Sequence, residues 1–289
     1  MKTRFYKSDK DRRMVDKDAE LVFDDAERRL IVRNGDRPLN VGYDDVQKIV
    51  FDVSYHMRGG GMSQVVGGMV GAAMASAKVN DYWCYLEYRD KDGSTRKYLL
   101  EIDKDNAEAV LEKVKALFPE RQMMADYEQY PELDKKMLND LDSKHDFDNE
   151  KQDRPLPVPR ADKALVVVVC PSLAARYAGK GIQFKFHAND RVVAVNKWGT
   201  YSYAYLDPGE YVVASQSENA GGGKVKLEAG QEYYFFQDTF MGTWKAKTGL
   251  SRHSKELVMY ELEGTYYSDW KRKSSGDPQS AAAAALRKE

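Results

Sequence analysis

The sequence predicts a mainly β protein with two domains. Its 289 residues are enough for two hydrophobic cores. Aromatic residues make up 11% of the chain, which contains 19 tyrosines, and aromatic side chains favour strands. Short apolar runs separated by turn sequences occupy most of the chain, and an acidic, proline-containing stretch near the middle divides them into two groups.

The charge of the chain limits the class of partner. The net charge is -1, whereas a nucleic-acid-binding protein usually has a basic excess, so we expect no nucleic-acid partner. The first ten residues lack the apolar core of a secretory signal, which predicts a cytoplasmic protein. Association with a membrane is left open by the glycine-rich run described below. The alternative is the cell envelope, if a leader has been removed.

Residues 18–120 are predicted to form the first domain, an antiparallel β structure that ends in a helix. Its turns are expected at Asn34-Gly35 and at residues 91–94. After residue 102 the apolar period changes from two to 3.6, and Asp105 is predicted to cap a helix that Pro119 ends. The predicted strands lie near residues 21–23, 30–32, 46–53, 82–88 and 97–102.

The first domain resembles the bacterial pleckstrin-homology and GRAM-like superfold. The resemblance rests on this order of elements and on the pattern Leu39 … Tyr43-Asp44-Asp45-Val46 … Ile49. The resemblance implies an antiparallel barrel followed by one C-terminal helix.

Residues 58–78 form a glycine- and alanine-rich insert between two predicted strands. Small residues recur there at a spacing of four, which on a helix gives a flat stripe that another helix or a bilayer can approach closely. The run is poor in Leu, Ile and Phe, which makes it a weak spanning helix. Self-association, membrane contact and a plain linker all remain open. The predicted association residues are Gly67, Gly68, Gly71, Ala72, Ala75 and Ser76.

The start of this insert suggests an anion site. Backbone N–H groups of Gly59, Gly60 and Gly61 could form a nest, with His56 and Arg58 as charge partners for a phosphate or a lipid headgroup. Glycines are also what a flexible strand-to-helix turn requires, so a plain hinge is the alternative.

Residues 121–163 are predicted to be a linker rich in acidic residues, with an exposed helix at 122–141. The linker ends in Pro155-Leu156-Pro157-Val158-Pro159, which favours a polyproline II spacer. A ligand for an SH3-type domain is the alternative interpretation of this segment.

Residues 164–270 are predicted to form an antiparallel β-sandwich, followed by a tail at 271–289. Tyr201, Tyr203 and Tyr205 alternate along one strand and therefore share a face. Such a face can bind sugars or peptides, but packing in the core or over an edge is the favoured interpretation. The predicted strands lie at 165–169, 182–186, 192–195, 201–206, 211–214, 224–227, 233–236 and 257–262.

The stretch from 163 to 263 resembles the DUF2846 family. The resemblance rests on residues 199–201, on Leu206-Asp207-Pro208-Gly209-Glu210-Tyr211 and on residues 227–235. The resemblance implies a bacterial sandwich domain of a kind often found in envelope lipoproteins, with no assigned activity.

Residues typical of catalysis or metal binding are sparse. The four histidines have no metal-ligand spacing, and neither C-x-x-C nor H-E-x-x-H occurs. Cys84 and Cys170 lie in apolar strand patterns, one in each predicted domain, and are expected to be buried reduced thiols. We therefore predict no catalytic residues, no metal and no cofactor.

These observations together predict a non-enzymatic bacterial adaptor or scaffold. Its N-terminal domain and glycine-rich segment would place it at a membrane or in a homo-oligomer, and its sandwich would contact a protein partner. The alternative is a protein that binds a phospholipid or small ligand through the Arg58 loop.

Overall fold

The structure is a computed structural model that describes residues 2–8, 17–33, 38–58, 77–124, 128–134, 136–137, 141, 146–171, 181–240, 246–262 and 265–273. For residues 2–8, 17–18, 54–58, 77–79 and 240 it describes the backbone only. The fold is mainly β, as the sequence predicts. The chain divides into an N-terminal unit, Met1–Gln129 with Ser251–Gly264, and a C-terminal unit, Tyr130–Leu250 with Thr265–Glu289.

The N-terminal unit contains one large sheet and two α-helices among its described residues. The sheet order there is β4-β3-β2-β1-β7-β6-β5-β8. The elements in the first part of the chain are β1 (Lys2–Ser8), β2 (Lys17–Asp24), β3 (Arg29–Arg33), β4 (Leu39–Gly42), β5 (Val46–Arg58), β6 (Ala77–Arg89), β7 (Thr95–Ile102), α1 (Lys104–Leu117) and β8 (Gln122–Met124).

Alternation and capping explain the elements of this sheet and helix. In β3, Leu30 and Val32 are buried and the residues next to them in the strand are more exposed, because side chains of a strand alternate between faces. Helix α1 begins two residues earlier than predicted: Asp103, not Asp105, is the N-cap, and its carboxylate accepts a bond from the backbone N–H of Asp105. The apolar face of α1 packs on the sheet, with Val110 fully buried in the shared hydrophobic cluster.

The predicted barrel does not close among the strands that the structure describes. β1 pairs with β2 on one side and β7 on the other, and β8 pairs in parallel with β5, so β4 and β8 remain at opposite edges. β5 and β6 pair from Val46↔Tyr88 out to Arg58↔Ala77. The glycine-rich run at 59–76 therefore connects the two strands of a hairpin, and its predicted helix lies outside the described residues.

The C-terminal unit is built on two sheets within the described part of the chain. Their orders are β10-β19-β14-β11-β17-β18-β9 and β13-β12-β15-β16. Their strands are β9 (Glu128–Tyr130), β10 (Phe147–Gln152), β11 (Ala164–Cys170), β12 (Phe184–Ala188), β13 (Arg191–Asn196), β14 (Thr200–Leu206), β15 (Gly209–Gln216), β16 (Ala220–Leu227), β17 (Glu232–Phe240), β18 (Lys247–Arg252) and β19 (Tyr266–Arg272). The boundary between the units falls within β9 and β18. The second helix, α2 (Lys255–Leu262), belongs to the N-terminal unit.

One hydrophobic cluster contains side chains from both of these sheets. Val166 and Phe235 come from the seven-stranded sheet, and Phe186 and Leu227 from the four-stranded one. The larger sheet is mixed, because β11 pairs in parallel with β17 and β14 with β19. It therefore differs from the purely antiparallel arrangement that the sequence predicts.

Two predicted secondary structures are wrong. Residues 257–262 form helix α2 instead of a strand, because the Ser254 hydroxyl accepts a bond from the backbone N–H of Leu257 and caps the helix. The helix expected at 122–141 is replaced, where the structure describes this stretch, mainly by strands β8 and β9. The division into domains that fold independently, 18–120 and 164–270, stays a prediction.

Candidate functional site

The proline-rich segment packs on a row of tyrosines in the C-terminal unit. We call residues 153–160 the proline strap, and Tyr201, Tyr203 and Tyr205 of β14 with Tyr267 of β19 the tyrosine ladder. The ladder is continuous: the Tyr203 ring centroid lies 5.3 Å from that of Tyr267 and 6.3 Å from that of Tyr205. Tyr201 packs edge-on against Tyr267 at 5.7 Å.

Strand topology and proline chemistry explain the position and shape of the strap. β10 pairs with β19 and β11 with β14, while β19 and β14 are neighbours, so the chain from β10 to β11 must cross both strands. From Arg154 to Pro159 every residue is a proline or precedes one. Such residues are restricted to extended conformations, so the strap is stiff before it packs.

Hydrogen bonds and arginine stacking hold the strap on the ladder. The Tyr201 hydroxyl donates to the carbonyl of Arg154, and the Tyr205 hydroxyl donates to the carbonyl of Val158 at 2.5 Å. The Arg154 guanidinium lies 4.7 Å from the centroid of the Tyr267 ring, and that of Arg160 lies 4.3 Å from the centroid of Tyr205. Each stacking contact stabilises the packed strap by about 0.5–1 kcal/mol at an exposed site.

The ladder tyrosines are thus neither a bare aromatic face nor a uniform core. Tyr201 is only 4% exposed, while Tyr203, Tyr205 and Tyr267 are half-buried beneath and beside the strap. Val158, on the outer side of the strap, is 80% exposed. The sequence indicated the shared tyrosine face but not the segment that lies on it.

Burial of Tyr201 leads to a prediction for alkaline solution. Burial and the nearby Tyr203 and Tyr267 raise the pKa of Tyr201 from 10.0 to about 12. Between these values the folded state binds more protons than the unfolded state, so this stabilisation is complete below pH 10 and is lost as the pH rises towards 12. We expect the wild type to lose about 2 kcal/mol more than Tyr201→Phe over this pH range in chemical denaturation, the difference being the contribution of Tyr201. Equal alkaline losses in both proteins would contradict it.

A second polar cluster joins β5 to the segment before α2, entirely within the N-terminal unit. The Asp52 carboxylate lies 3.0 Å from Nδ1 of His253, and Nε2 of His253 lies 2.8 Å from Oγ of Ser251. The backbone N–H and the hydroxyl of Ser254 also donate to Asp52, at 3.1 and 2.9 Å. Both oxygens of Asp52 accept bonds from backbone N–H groups, those of Val53 and Ser254, so we assign Nδ1 of His253 as a further donor to Asp52.

This cluster has the bond order of a serine–histidine–aspartate triad but is buried throughout. Ser251 is 0% exposed, and the His253 and Asp52 side chains are 0% and 2% exposed. Substrate cannot contact Oγ of Ser251 in this conformation, so the bonds anchor α2 rather than activate a nucleophile. The ion pair of Lys48 with Glu256, at 2.9 Å, adds to this anchoring.

Sequence reasoning missed the Asp52–His253 pair because 201 residues separate its members. A local signal existed nonetheless: Ser251-Arg252-His253-Ser254 belongs to a polar run that ends directly before the apolar residues that start at Leu257.

A third polar cluster lies inside the C-terminal unit. The Asn196 side-chain amide donates to the Gln237 side-chain oxygen at 2.9 Å, and the Gln237 amide donates to the Ser215 hydroxyl at 3.1 Å. The Ser215 hydroxyl in turn bonds the hydroxyl of Thr248 at 2.7 Å. All four side chains are buried, so this chain of bonds satisfies polar groups that would otherwise destabilise the core.

The two cysteines are buried free thiols, as predicted. Burial raises the pKa of the Cys84 thiol to about 12 and that of Cys170 well above its usual value. Because the thiolate is the reactive species, we expect neither cysteine to react with a thiol reagent at pH 8 in the folded protein, and both to react in denaturant. Mass spectrometry after alkylation measures this. Rapid labelling of either cysteine without denaturant would contradict it.

The structure gives no side-chain contacts for the residues that the sequence predicts to take part in association or anion binding. Gly59, Gly60, Gly61 and the association residues (Gly67, Gly68, Gly71, Ala72, Ala75 and Ser76) lie outside the described residues, and His56 and Arg58 are described by their backbone alone. Within the described ranges, no cluster of three or more His, Cys, Asp or Glu side chains is arranged to hold a metal ion. No helix in the same ranges has both the length and the apolar character needed to cross a membrane.

Comparison of the chain with family models, curated proteins and solved structures gives no match.

Proposed function

We propose that this chain is a non-enzymatic bacterial adaptor or scaffold. Its C-terminal unit, a sandwich of the DUF2846 type, binds a protein partner. Its N-terminal unit, of the pleckstrin-homology or GRAM type, holds the chain at a membrane or in a homo-oligomer through the glycine-rich run. The protein works in the cytoplasm and at the membrane surface.

The packing of the strap on the ladder is the observation that carries this proposal. Aromatic side chains that stack with arginine and donate hydroxyls to backbone carbonyls are a recurring means of binding extended, proline-rich chains. Here Tyr201 and Tyr205 make such bonds to Arg154 and Val158. The C-terminal unit therefore already holds one extended segment by contacts that protein–protein recognition also uses.

The geometry of the β5–β6 hairpin supports the localising role of the N-terminal unit. The last backbone pair, Arg58↔Ala77, keeps the ends of residues 59–76 about one strand spacing apart, near 5 Å. The 18-residue run therefore leaves and re-enters the sheet at the same end of the hairpin. Contact of that run with a second copy or a bilayer at this end would not require the paired strands to separate.

The experiment that tests the localising role replaces Gly67 and Gly71 with leucine. If two copies pack through the small-residue stripe, the leucines hold the backbones apart, and the mass from light scattering should fall towards that of one chain. If the run contacts lipid, the added apolar area should instead strengthen co-sedimentation with liposomes. Met69→Leu with Ala73→Leu, on the opposite side of the predicted helix, is the matched control.

Each outcome of this experiment decides between the interpretations. A lower mass supports self-association, and tighter liposome binding supports a membrane role. Binding only to liposomes with anionic phosphate headgroups, lost on Arg58→Gln, would favour the alternative of a phospholipid-binding protein. No change in mass or liposome binding would refute the localising role of the segment.

A further inference from the structure

We infer that the tyrosine ladder is a binding surface for polyproline II segments flanked by arginine, and that the proline strap is its resident intramolecular ligand. The inference rests on the proposed function and names the partner of the C-terminal unit: an extended, proline-rich segment of another protein with an arginine near each end.

The spacing of the ladder matches that of a polyproline II helix. Tyr201 and Tyr205 are four residues apart on β14, and the carbonyls that they bond, those of Arg154 and Val158, are also four residues apart. Four residues span about 14 Å of an antiparallel strand. Four residues of polyproline II span about 12 Å. The two spans are close, so a strap residue lies within reach of a tyrosine hydroxyl at each end of this length.

The ladder contacts groups that any segment of this class would offer. The two tyrosine hydroxyls bond main-chain carbonyls, and the rings of Tyr267 and Tyr205 stack with guanidinium groups. By contrast, the Val158 side chain is 80% exposed and contributes little to the contact. The surface therefore selects backbone shape and terminal arginines rather than one particular sequence between them.

The strap competes with such a partner because both of its ends are anchored. β10 pairs with β19 over six residue pairs before the strap, and the Lys163 ammonium lies 2.6 Å from the Asp207 carboxylate after it. A tethered ligand acts at a high effective concentration, so the wild-type protein should bind a free segment only weakly. Weakening the strap should expose the ladder.

The test uses the full chain and a fluorescein-labelled synthetic peptide with the sequence of residues 152–161. In the variant Arg154→Ala with Arg160→Ala, the rings of Tyr267 and Tyr205 lose their internal guanidinium partners and become available to the arginines of the peptide. We expect fluorescence anisotropy to show saturable binding at least tenfold tighter than that of the wild type. Arg191→Ala, an exposed arginine at the start of β13, is the matched control and should behave like the wild type.

Two further binding measurements test which residues of the protein form the surface and which feature of the peptide it recognises. Adding Tyr205→Ala and Tyr267→Ala to the weakened variant should abolish binding, since the ladder is then interrupted at both stacking positions. A peptide with alanine at its three proline positions should bind at least tenfold more weakly, since it is no longer preorganised. If the first variant does not fold, as judged by circular dichroism, Pro155→Gly with Pro157→Gly and Pro159→Gly weakens the strap by a different route.

Absence of saturable binding to a folded, weakened variant would overturn the inference. So would binding that persists when the ladder is interrupted. Neither result affects the mass and liposome measurements on the glycine-rich run, so failure of this surface and failure of the localising role can be told apart.

Discussion

Replacing Asp52 with alanine is expected to lower the free energy of unfolding by about 3–5 kcal/mol, because four donors lose their acceptor inside the protein. These donors are the backbone N–H of Val53, Nδ1 of His253, and the backbone N–H and hydroxyl of Ser254. Two of them precede α2 directly, so the helix should lose its anchor on β5. Urea denaturation followed by circular dichroism measures the change.

Two variants separate this effect from a general loss of charge. Asp52→Asn keeps one acceptor oxygen and should be destabilised less than Asp52→Ala. Asp44→Ala removes an exposed carboxylate that pairs with Arg28 on the surface, and should change stability by less than about 1 kcal/mol. A loss below about 1 kcal/mol for Asp52→Ala would show that the cluster does not anchor α2.

Gly222→Ala is expected to be the most damaging small substitution in the C-terminal unit. A Cβ atom at Gly222 would lie 2.1 Å from the carbonyl oxygen of Val213 and 2.7 Å from Cα of Ala214. Both are backbone atoms of β15, the neighbouring strand, so the clash cannot be relieved by rotating a side chain. We expect a loss of about 3 kcal/mol or more, or a chain that does not fold.

Gly42→Ala is the matched control for this substitution. Its Cβ would lie 3.0 Å from a carboxylate oxygen of Asp45, the far end of a flexible and exposed side chain. Thermal denaturation should therefore show a melting temperature close to that of the wild type. A Gly222→Ala protein that melts at the same temperature would mean that β15 and β16 are not packed this closely.

The strap-and-ladder arrangement and the glycine-rich run assign different tasks to the two units. Recognition of an extended segment would belong to the C-terminal unit, and localisation to the N-terminal unit. Because the two roles are tested on different residues with different measurements, each can fail without the other.

Local patterns in the sequence determined much of the secondary structure. The apolar run at 165–169 predicted the buried strand that the structure shows as β11, and Gly93, which adopts a positive φ of 81°, marked the turn between β6 and β7. The change to a period of 3.6 predicted α1. The prolines fixed the extended shape of the strap. In each case the signal and its consequence lie within a few residues, where steric and capping preferences act directly.

The tertiary structure decided what depends on residues far apart in the chain. Residues 257–262 have an apolar pattern compatible with strand or helix, and the helix begins directly after Ser254, whose N–H and hydroxyl bond Asp52. The sequence predicts a strand only at 224–227, whereas β16 begins at Ala220 and pairs with β15, whose backbone leaves no room for a side chain at Gly222. The position of the strap over the ladder follows from the order of β10, β19, β14 and β11. Local composition limits the conformations a segment can adopt, but only packing and hydrogen bonds across the chain select among them.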